Sequence, residues 1–267
     1  MKDYLPLIEE ALDRYSGAFD LPELFARSMR YSLLSGGKRI RACLCLACCE
    51  LAGGEAEAAL PFASALEMIH AYSLIHDDLP AMDDDDMRRG KPSSHKAFGE
   101  GNAILAGDGL LTMAMRLLCD VPGQEEAKKA IFQGALEMAA GQSLDLNVTG
   151  RDLASLQRIH DLKTGALFRA ACLSGAHRGG CGQAAAQSVR AFADKLGLLF
   201  QMTDDLLDMD KDTAEGKLTY VTLLGAEKTK GEIDALVSDI HWILIGFQGE
   251  ESAYLHELAN RIAVRRA

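Results

Sequence analysis

Apolar residues recur at helical spacing along almost the whole chain, and this pattern constrains the fold more than any other feature of the sequence. The six prolines all lie within the first 122 residues, so the remainder lacks the residue that most readily breaks a helix. Ala and Leu occur 39 times each and Val only 6 times, a composition that favours helices over strands. We therefore expect an all-α protein with a single domain over residues 1–267 and its longest loops at 79–96 and 211–221. The spacing predicts helices over 3–17, 22–34, 38–53, 56–78, 97–119, 124–147, 152–180, 183–210, 225–247 and 251–264.

Negative charge is concentrated in two short segments. The chain carries 28 Lys and Arg against 39 Asp and Glu, and eleven of these acids lie in residues 77–86 and 204–212. Because there is no basic stripe or polybasic segment, we expect neither nucleic-acid binding nor attachment to an anionic membrane. No uninterrupted apolar run approaches the roughly 18 residues of a spanning helix, so no stable membrane insertion is expected. The charged start of the chain is unlike a signal peptide, which favours a cytoplasmic location.

The first acidic segment follows a helix that ends in a proline turn. Glu67, His70 and Asp77 are spaced to share one face of this helix, and Asp78 lies in its last turn. Carboxylates at a helix C-terminus face the negative end of the helix dipole, so they need a positive partner. Together with Asp83 beyond the proline, they offer the oxygen ligands that Mg²⁺ prefers. A solvated acidic loop is the alternative.

The second acidic segment lies on one face of an otherwise apolar helix. Gln201, Asp204 and Asp208 occupy positions i, i+3 and i+7, and Asp205 follows Asp204 directly. Like charges at i and i+4 destabilise a bare helix, so acids that face the core require a counter-charge. Two such clusters facing each other would form a site for several metal ions, which indicates a diphosphate or another multiply charged anion as ligand. An exposed acidic helix face is the alternative.

Basic residues occur at four points that could hold such an anion. The segment 36–41, GGKRIR, places cations after a glycine pair, although it lacks the spacing of a P-loop. The others are the arginine pair at 88–89, the Lys-Thr pair at 163–164, and Lys217. Each of them alone is more typical of a surface residue. Together with two acidic clusters, they indicate two anionic ligands, one bound through metal ions and one bound directly.

Seven segments resemble, in their order along the chain, the motifs of the trans-isoprenyl diphosphate synthases, and most closely those of the bacterial farnesyl diphosphate synthase type. The agreement of several motifs in order makes the likeness highly specific. It implies an isoprenoid synthase bundle of about ten or more helices around a deep central cavity, usually as a homodimer. The segments are GGKRIR (36–41), EMIHAYSLIHDDLPAMDDDDMRRGKPSSH (67–95), FGEGNAILAGDGLL (98–111), GQSLDL (141–146), KTGALFRA (163–170), FQMTDDLLDMDKD (200–212) and GKLTY (216–220).

The resemblance also implies ligands and the residues that hold them. The substrates would be isopentenyl diphosphate and an allylic diphosphate, and the cofactor Mg²⁺, with three ions in each active site. The implied metal ligands are Asp77, Asp83, Asp204 and Asp208, and the implied catalytic set is Asp77, Asp78, Asp83, Asp204, Asp205 and Lys163. The implied isopentenyl diphosphate site contains Lys38, Arg41, His70 and Arg89. The implied allylic diphosphate site contains Arg88, Lys163, Thr164, Gln201 and Lys217.

The implied function is Mg²⁺-dependent prenyl transfer. Metal ions and basic side chains would neutralise the leaving diphosphate, and an apolar cavity would keep water from the allylic cation while isopentenyl diphosphate attacks it. Tyr72 and Ser73 lie about one helical turn below Asp77, where a bulky Tyr would end chain growth, so we expect farnesyl diphosphate as the main product. Geranyl or geranylgeranyl diphosphate is the alternative product. A terpene cyclase or a catalytically silent partner subunit is less favoured because both acidic motifs and the basic residues are present.

The chain departs from the family's pattern after the second acidic motif. Only three residues separate Asp212 from Gly216, where the family usually has a longer loop that contains glycine and lysine and helps to close the active site. Either the loop is shortened in this protein, in which case we expect weaker diphosphate binding and turnover, or residues are missing here from the given sequence.

Overall fold

The computed structural model describes residues 2–147, 150 and 152–265, three of them (211, 213 and 215) by their backbone alone. Helices follow one another through these residues, and β1 (Met87–Arg88) pairs with β2 (Lys91–Pro92) in a short antiparallel hairpin. The predicted all-α class is confirmed. The helices are α1 (Leu5–Ser16), α2 (Glu23–Leu33), α3 (Ile40–Leu51), α4 (Ala56–Asp77), α5 (Ser94–Phe98), α6 (Glu100–Cys119), α7 (Glu125–Leu146), α8 (Leu153–His160), a π turn (Asp161–Gly165), α9 (Ala166–Arg178), α10 (Gln183–Leu207), α11 (Met209–Glu215), α12 (Tyr220–Leu224), α13 (Ala226–Leu244) and α14 (Glu250–Ala263).

Helix α4 lies at the centre of the bundle, against α3, α6 and α9. Its sequence is apolar on nearly all sides, and most of its side chains are therefore buried. A glycine lets α6 approach closely, since a Cβ on Gly107 would lie 2.2 Å from the His76 ring. The adjacent aspartates Asp77 and Asp78 come at the C-terminus of α4, so the bundle presents them at one of its ends.

Two helices of this bundle, α4 and α6, are long and apolar enough to cross a membrane by length and composition alone. Of the apolar windows concerned, 67% is buried within the protein in α4 and 44% in α6. Glu67 and His70 interrupt α4, so it contains no unbroken apolar run of spanning length. Its burial against three neighbours identifies α4 as a core helix, and the expected absence of membrane insertion stays a prediction.

Three segments differ from the predicted helices and loops. The predicted helix over 152–180 is interrupted by the π turn, which separates α8 from α9. The expected loop at 79–96 contains the β-hairpin and the start of α5, and the expected loop at 211–221 contains most of α11 and the start of α12. A π turn disturbs the apolar spacing by a single residue, and helices of five to seven residues give too few repeats to recognise.

Candidate active site

The first acidic motif forms the turn that follows α4. The Asp83 amide donates to the carbonyl of Asp77 at 2.8 Å, which folds the chain back and brings both residues to the same end of the helix. Burial raises the pKa of Asp77 to about 6; Lys163 opposes this shift, whereas the charge of Asp83 adds to it. Two carboxylates that repel each other in a partly buried place form a site that a divalent cation would stabilise.

Asp78 has a different partner from Asp77. It is buried and accepts from Arg88, with 3.0 Å between Arg88 Nε and Asp78 Oδ1. Arg88 also lies 3.3 Å from Asp85. This ion pair lies on the wall of a small pocket beside α2, together with Tyr31. Asp78 therefore forms an ion pair with Arg88. The supporting role implied for Asp78 and the allylic-site role implied for Arg88 stay predictions.

Lys163 and Thr164 lie on the π turn. Such turns are frequent at functional sites because they break the regular stacking of the helix. Lys163 Nζ lies 2.6 Å from Asp145 Oδ2, and its charge lowers the pKa of Asp77. The turn packs closely on α7 because Gly141 has no side chain, since a Cβ there would lie 2.2 Å from the Lys163 amide nitrogen. The GQSLDL motif thus seats the turn and supplies a carboxylate partner for its lysine.

A chain of hydrogen bonds connects the π turn to the second acidic motif. Thr164 Oγ1 donates to Gln201 Oε1 at 3.0 Å, and Gln201 Nε2 donates to Asp205 Oδ1 at 3.0 Å. The other oxygen of Asp205 accepts from the Tyr220 amide at 2.7 Å. Burial raises the pKa of Asp205 to about 6, although both donors oppose the shift. Since protein donors occupy both of its oxygens, Asp205 holds Gln201 and the start of α12 in place.

Asp204 and Asp208 face a different set of neighbours. Arg265, which follows α14, forms an ion pair with Asp204 and places its guanidinium carbon 4.2 Å from the Phe200 ring centroid. Burial raises the pKa of Asp204 and the charge of Asp208 adds to this, whereas Arg265 and Lys38 lower it. The charge of Lys38 therefore acts on the second acidic motif, and the roles implied for Lys38, Asp204 and Asp208 stay predictions.

Arg41 and His70 form the basic side of the interior. Arg41 Nη1 lies 3.4 Å from His70 Nε2, and the Arg41 guanidinium lies over the Phe168 ring, 5.0 Å from its centroid. Burial lowers the pKa of His70 far below its usual range, and the charge of Arg41 lowers it further. His70 is therefore neutral and leaves Arg41 with its full charge for an anion.

Two further arginines, one inside the GGKRIR segment and one from the β-hairpin, hold this segment in its conformation. Arg39 is buried and pairs with Glu67 of α4 at 3.3 Å, and Glu67 accepts from the Ala42 amide at 3.2 Å. One buried carboxylate therefore satisfies both a buried cation and an amide of the first turn of α3. Arg89 comes from the β-hairpin and donates to the carbonyl of Gly36. The resemblance implies that Arg89 shares a site with residues of GGKRIR; Arg89 contacts this segment, and its role in binding stays a prediction.

Two cavities meet at the π turn. A polar cavity of about 780 Å³ is lined by residues of both acidic motifs, among them Asp83 and Asp205, and by Lys217. A second cavity of about 410 Å³ extends between α4 and α7. Lys163 and Thr164 line both cavities, so the π turn marks their junction.

Tyr72 and Ser73 line the second cavity about one turn before Asp77. Tyr72 is half-buried, and its ring packs edge-on against His76 with 5.7 Å between the centroids. Ser73 Oγ donates to the carbonyl of His70 at 3.0 Å. The phenol therefore occupies the wall along which a chain anchored near Asp77 would extend.

The carboxylates of the two motifs fit the ligand preferences of Mg²⁺. Asp77 and Asp83 supply oxygen donors at the end of α4, and their mutual repulsion calls for a cation. A further group combines Asp84 and Asp86 of this turn with His95 of α5, whose ligand atoms lie within 4.8 Å of one another. The sequence pattern did not single out this group.

Several other residues at the site also lay outside the sequence-based set. Asp145 belongs to the GQSLDL motif, so the quoted resemblance contained a signal for it. Arg265 lies more than fifty residues beyond the second acidic motif, and no local pattern connects the two. Arg169 and Tyr220 belong to the quoted KTGALFRA and GKLTY segments, but nothing in those segments indicated their partners, which lie on other helices. These contacts arise from helix packing.

Residues 22–237 match the family model described as polyprenyl synthetase. Geranylgeranyl pyrophosphate synthase 7, chloroplastic, from Arabidopsis thaliana is 44% identical over 282 aligned positions, which cover 97% of this chain and 81% of the relative. This alignment is longer than the chain, so the relative has residues that this protein lacks. Other plant relatives carry the same geranylgeranyl name.

Solved structures agree with this assignment. An FPP/GFPP synthase from Zymomonas mobilis has a TM-score of 0.89 and 37% identity, with 97% of each chain covered. A geranyltransferase from Legionella pneumophila has a TM-score of 0.88 and 34% identity, with 97% of this chain and 94% of that chain covered. The family model and the solved structures confirm the resemblance seen in the motifs. The chain is a prenyltransferase and belongs to the polyprenyl synthetase family.

Proposed function

We propose that the protein condenses isopentenyl diphosphate with an allylic diphosphate in a Mg²⁺-dependent reaction that releases a longer prenyl diphosphate and pyrophosphate. The junction at the π turn carries this proposal, because a polar cavity bordered by both acidic motifs meets a cavity beside α4 there. An allylic diphosphate has a charged head and an apolar tail. Its two parts match the two cavities, with the reacting carbon at the junction.

The head of the allylic substrate belongs in the polar cavity. Asp77, Asp83, Asp204 and Asp208 would hold Mg²⁺, which when bound supplies Lewis-acid neutralisation of the diphosphate. Lys163 adds a positive charge between the two motifs, in the wall shared by both cavities. The leaving diphosphate takes the bonding electrons, so positive charge fixed around it lowers the barrier.

Isopentenyl diphosphate belongs beside the GGKRIR segment. Burial lowers the pKa of both Arg41 and Arg89, and another arginine adds repulsion to each. Neither guanidinium forms an ion pair with any of the described residues. Two cations without a carboxylate partner, the part-buried Arg41 and the exposed Arg89, are stabilised by a multiply charged anion, and Lys38 adds a third, exposed charge.

The second cavity shelters the growing chain. Its lining combines polar side chains with apolar ones, and Tyr72 together with Met138 and Leu146 of α7 would keep water from the chain. The double bond of isopentenyl diphosphate attacks the allylic cation, and loss of one proton leaves a chain five carbons longer. The released pyrophosphate can accept this proton, so no side-chain base is required.

For the main product we propose geranylgeranyl diphosphate, in place of the farnesyl diphosphate expected from the sequence. The names of the plant relatives support this choice. Farnesyl diphosphate is the second candidate, because Tyr72 narrows the cavity about one turn below Asp77. Sizing the prenyl chains made from C5, C10 and C15 allylic diphosphates separates the two candidates.

The active assembly that we propose is a homodimer. Helices α6 and α7, which flank α4, expose large apolar side chains, with Leu105 55% and Leu136 67% exposed. Ile104 of α6 and Phe132 of α7 are exposed as well. A surface of this kind favours a second copy of the chain. Light scattering after gel filtration tests it, and we expect Leu136→Glu to yield monomers. A monomeric wild-type protein would contradict the proposal.

A product assay tests the function itself. We expect purified protein with Mg²⁺, isopentenyl diphosphate and geranyl diphosphate to release pyrophosphate, and Asp77→Ala to lose at least a hundredfold in rate. Asp120→Ala is the matched control, because Asp120 lies on the surface in an ion pair with Arg116. Absence of turnover in the wild type would favour a catalytically silent subunit, and equal losses in both variants would contradict the role of Asp77.

A further inference from the structure

Arg169 reaches back from α9 over the π turn that precedes it. Its guanidinium contacts the Asp161 carboxylate and donates to the Asp161 carbonyl at 3.1 Å. It also lies 3.2 Å from Glu137 of α7 and 3.1 Å from Asp194 of α10. Only 9% of Arg169 is exposed, so one buried cation connects the turn to both helices that enclose it.

Two glycines on the neighbouring helices allow the same turn to pack closely against them. A Cβ on Gly141 would lie 2.2 Å from the Lys163 amide nitrogen, and a Cβ on Gly197 would lie 3.0 Å from the Gly165 Cα. The Arg169 partners Glu137 and Asp194 come four and three residues before these glycines, on the same helices. Since residues three or four apart share a helix face, Arg169 binds the faces of α7 and α10 against which the turn packs.

A π turn is a rare geometry that persists only where its surroundings specify it. Asp161 is the first residue of this turn, and Arg169 binds it through the side chain and the main chain together. Arginine suits this task because its planar guanidinium carries several donors in a fixed arrangement, whereas lysine has a single nitrogen. Although burial works against it, the pKa of Arg169 is raised by the surrounding carboxylates, so the cation is permanent.

We propose that Arg169 is a positioning residue for the allylic diphosphate site. It locks the π turn and thereby places Lys163 Nζ and Thr164 Oγ1 at the junction of the two cavities. Arg169 acts through the turn and does not contact the substrate. The inference rests on the proposed function, in that Lys163 and Thr164 are taken to face the allylic substrate.

Three variants test the proposal with graded loss of the contacts. Arg169→Lys keeps the charge but cannot bind both groups of Asp161. Asp161→Asn removes the charged contact to the turn and keeps the carbonyl bond. Asp194→Asn is the matched control, because it removes the charge of a partner on α10 and leaves both contacts of Arg169 to Asp161 in place. All three are compared with wild-type protein in steady-state assays. In each assay the concentration of one diphosphate substrate is varied while the other is kept saturating.

We expect Arg169→Lys to raise the KM for the allylic diphosphate about tenfold and Asp161→Asn to raise it about threefold. The KM for isopentenyl diphosphate stays within twofold in both, because Arg41 and Arg89 are not attached to the π turn. Asp194→Asn leaves both KM values within twofold. Hydrogen exchange of the amides of residues 161–168 is faster in Arg169→Lys than in Asp194→Asn.

Several results would overturn the inference. If the wild type turns over and the KM for the allylic diphosphate is unchanged in the Arg169 and Asp161 variants, the inference is wrong and the proposed function still stands. An equal rise of both KM values also overturns the inference, because it indicates general loss of structure. If Arg169→Lys fails to fold, the Asp161→Asn result decides. If the wild type itself shows no turnover, the proposed function fails, and unchanged exchange at 161–168 separately refutes the locking of the turn.

Discussion

We expect replacement of Arg265 by Met to strengthen the binding of divalent cations by roughly 5- to 30-fold, at 1.4 kcal/mol for each factor of ten. Arg265 pairs with Asp204, the first residue of the second acidic motif, and its guanidinium stacks on Phe200. Arg265 binds Oδ1 of this carboxylate, so it competes with a metal ion for the same side chain. Removing Arg265 therefore removes a competitor and not a ligand.

The magnitude follows from the exposure of the pair. The Arg265 side chain is 14% exposed and that of Asp204 is 33% exposed, so the contact lies between a surface and a buried ion pair. Surface pairs contribute at most about 1 kcal/mol, and hydrogen bonds to charged groups about 1.5–3 kcal/mol. After allowing for solvent screening, we take the free energy that a metal ion must overcome to displace Arg265 as about 1–2 kcal/mol.

Electron paramagnetic resonance of free Mn²⁺ measures this effect on protein freed of metal with EDTA, and Mg²⁺ is then added as a competitor. Arg261→Met is the matched control, because Arg261 lies on α14, just before Arg265, but pairs with Glu257 on the surface, where the side chains are 58% and 47% exposed. Unchanged or weaker binding in Arg265→Met would refute the competition. Equal strengthening in Arg261→Met would show that net charge alone is responsible.

Three further predictions concern the cavity, the buried acids and the π turn. Tyr72→Ala lengthens the main product by at least five carbons relative to wild type, because the phenol leaves the cavity wall, whereas Tyr72→Phe does not; equal products by mass spectrometry would contradict this. In EDTA, stability to urea falls as the pH rises from about 4 to about 6, because folded Asp205, with its pKa raised by burial to about 6, keeps a proton that the unfolded chain has released. Asp205→Asn removes up to about 3 kcal/mol of this total fall in stability between the two pH values, and an unchanged fall would refute the assignment. Gly141→Ala costs about 2 kcal/mol or more in urea unfolding, because its Cβ would lie 2.2 Å from the Lys163 amide nitrogen; Gly101→Ala, with no neighbour within 4 Å, is the control, and equal costs would count against the close packing.

The sequence predicted most of the helices and the positions of both acidic motifs at helix ends. These features are local, because apolar spacing and turn residues act over a few positions along the chain. Glu67, His70 and Asp77 are on one helix, so helical spacing alone places them on a common face. The resemblance then supplied the family, which the comparisons confirmed.

The partners of individual charges could not be predicted in this way. Asp78 and Asp77 are adjacent in sequence, yet one pairs with Arg88 and the other lies near Lys163. The π turn could not be predicted from the sequence, because a single extra residue barely shifts the apolar pattern.

What the sequence by itself determined is the all-α class and the set of acidic and basic side chains that the site can draw on. Only the tertiary structure decided that Arg265 covers Asp204 and that Arg169 braces the π turn. The physical reason is the distance along the chain over which each kind of interaction acts. Helix formation and side-chain spacing depend on neighbours within a turn or two, whereas ion pairs between helices depend on how complete helices pack, with glycines such as Gly141 setting how closely they approach.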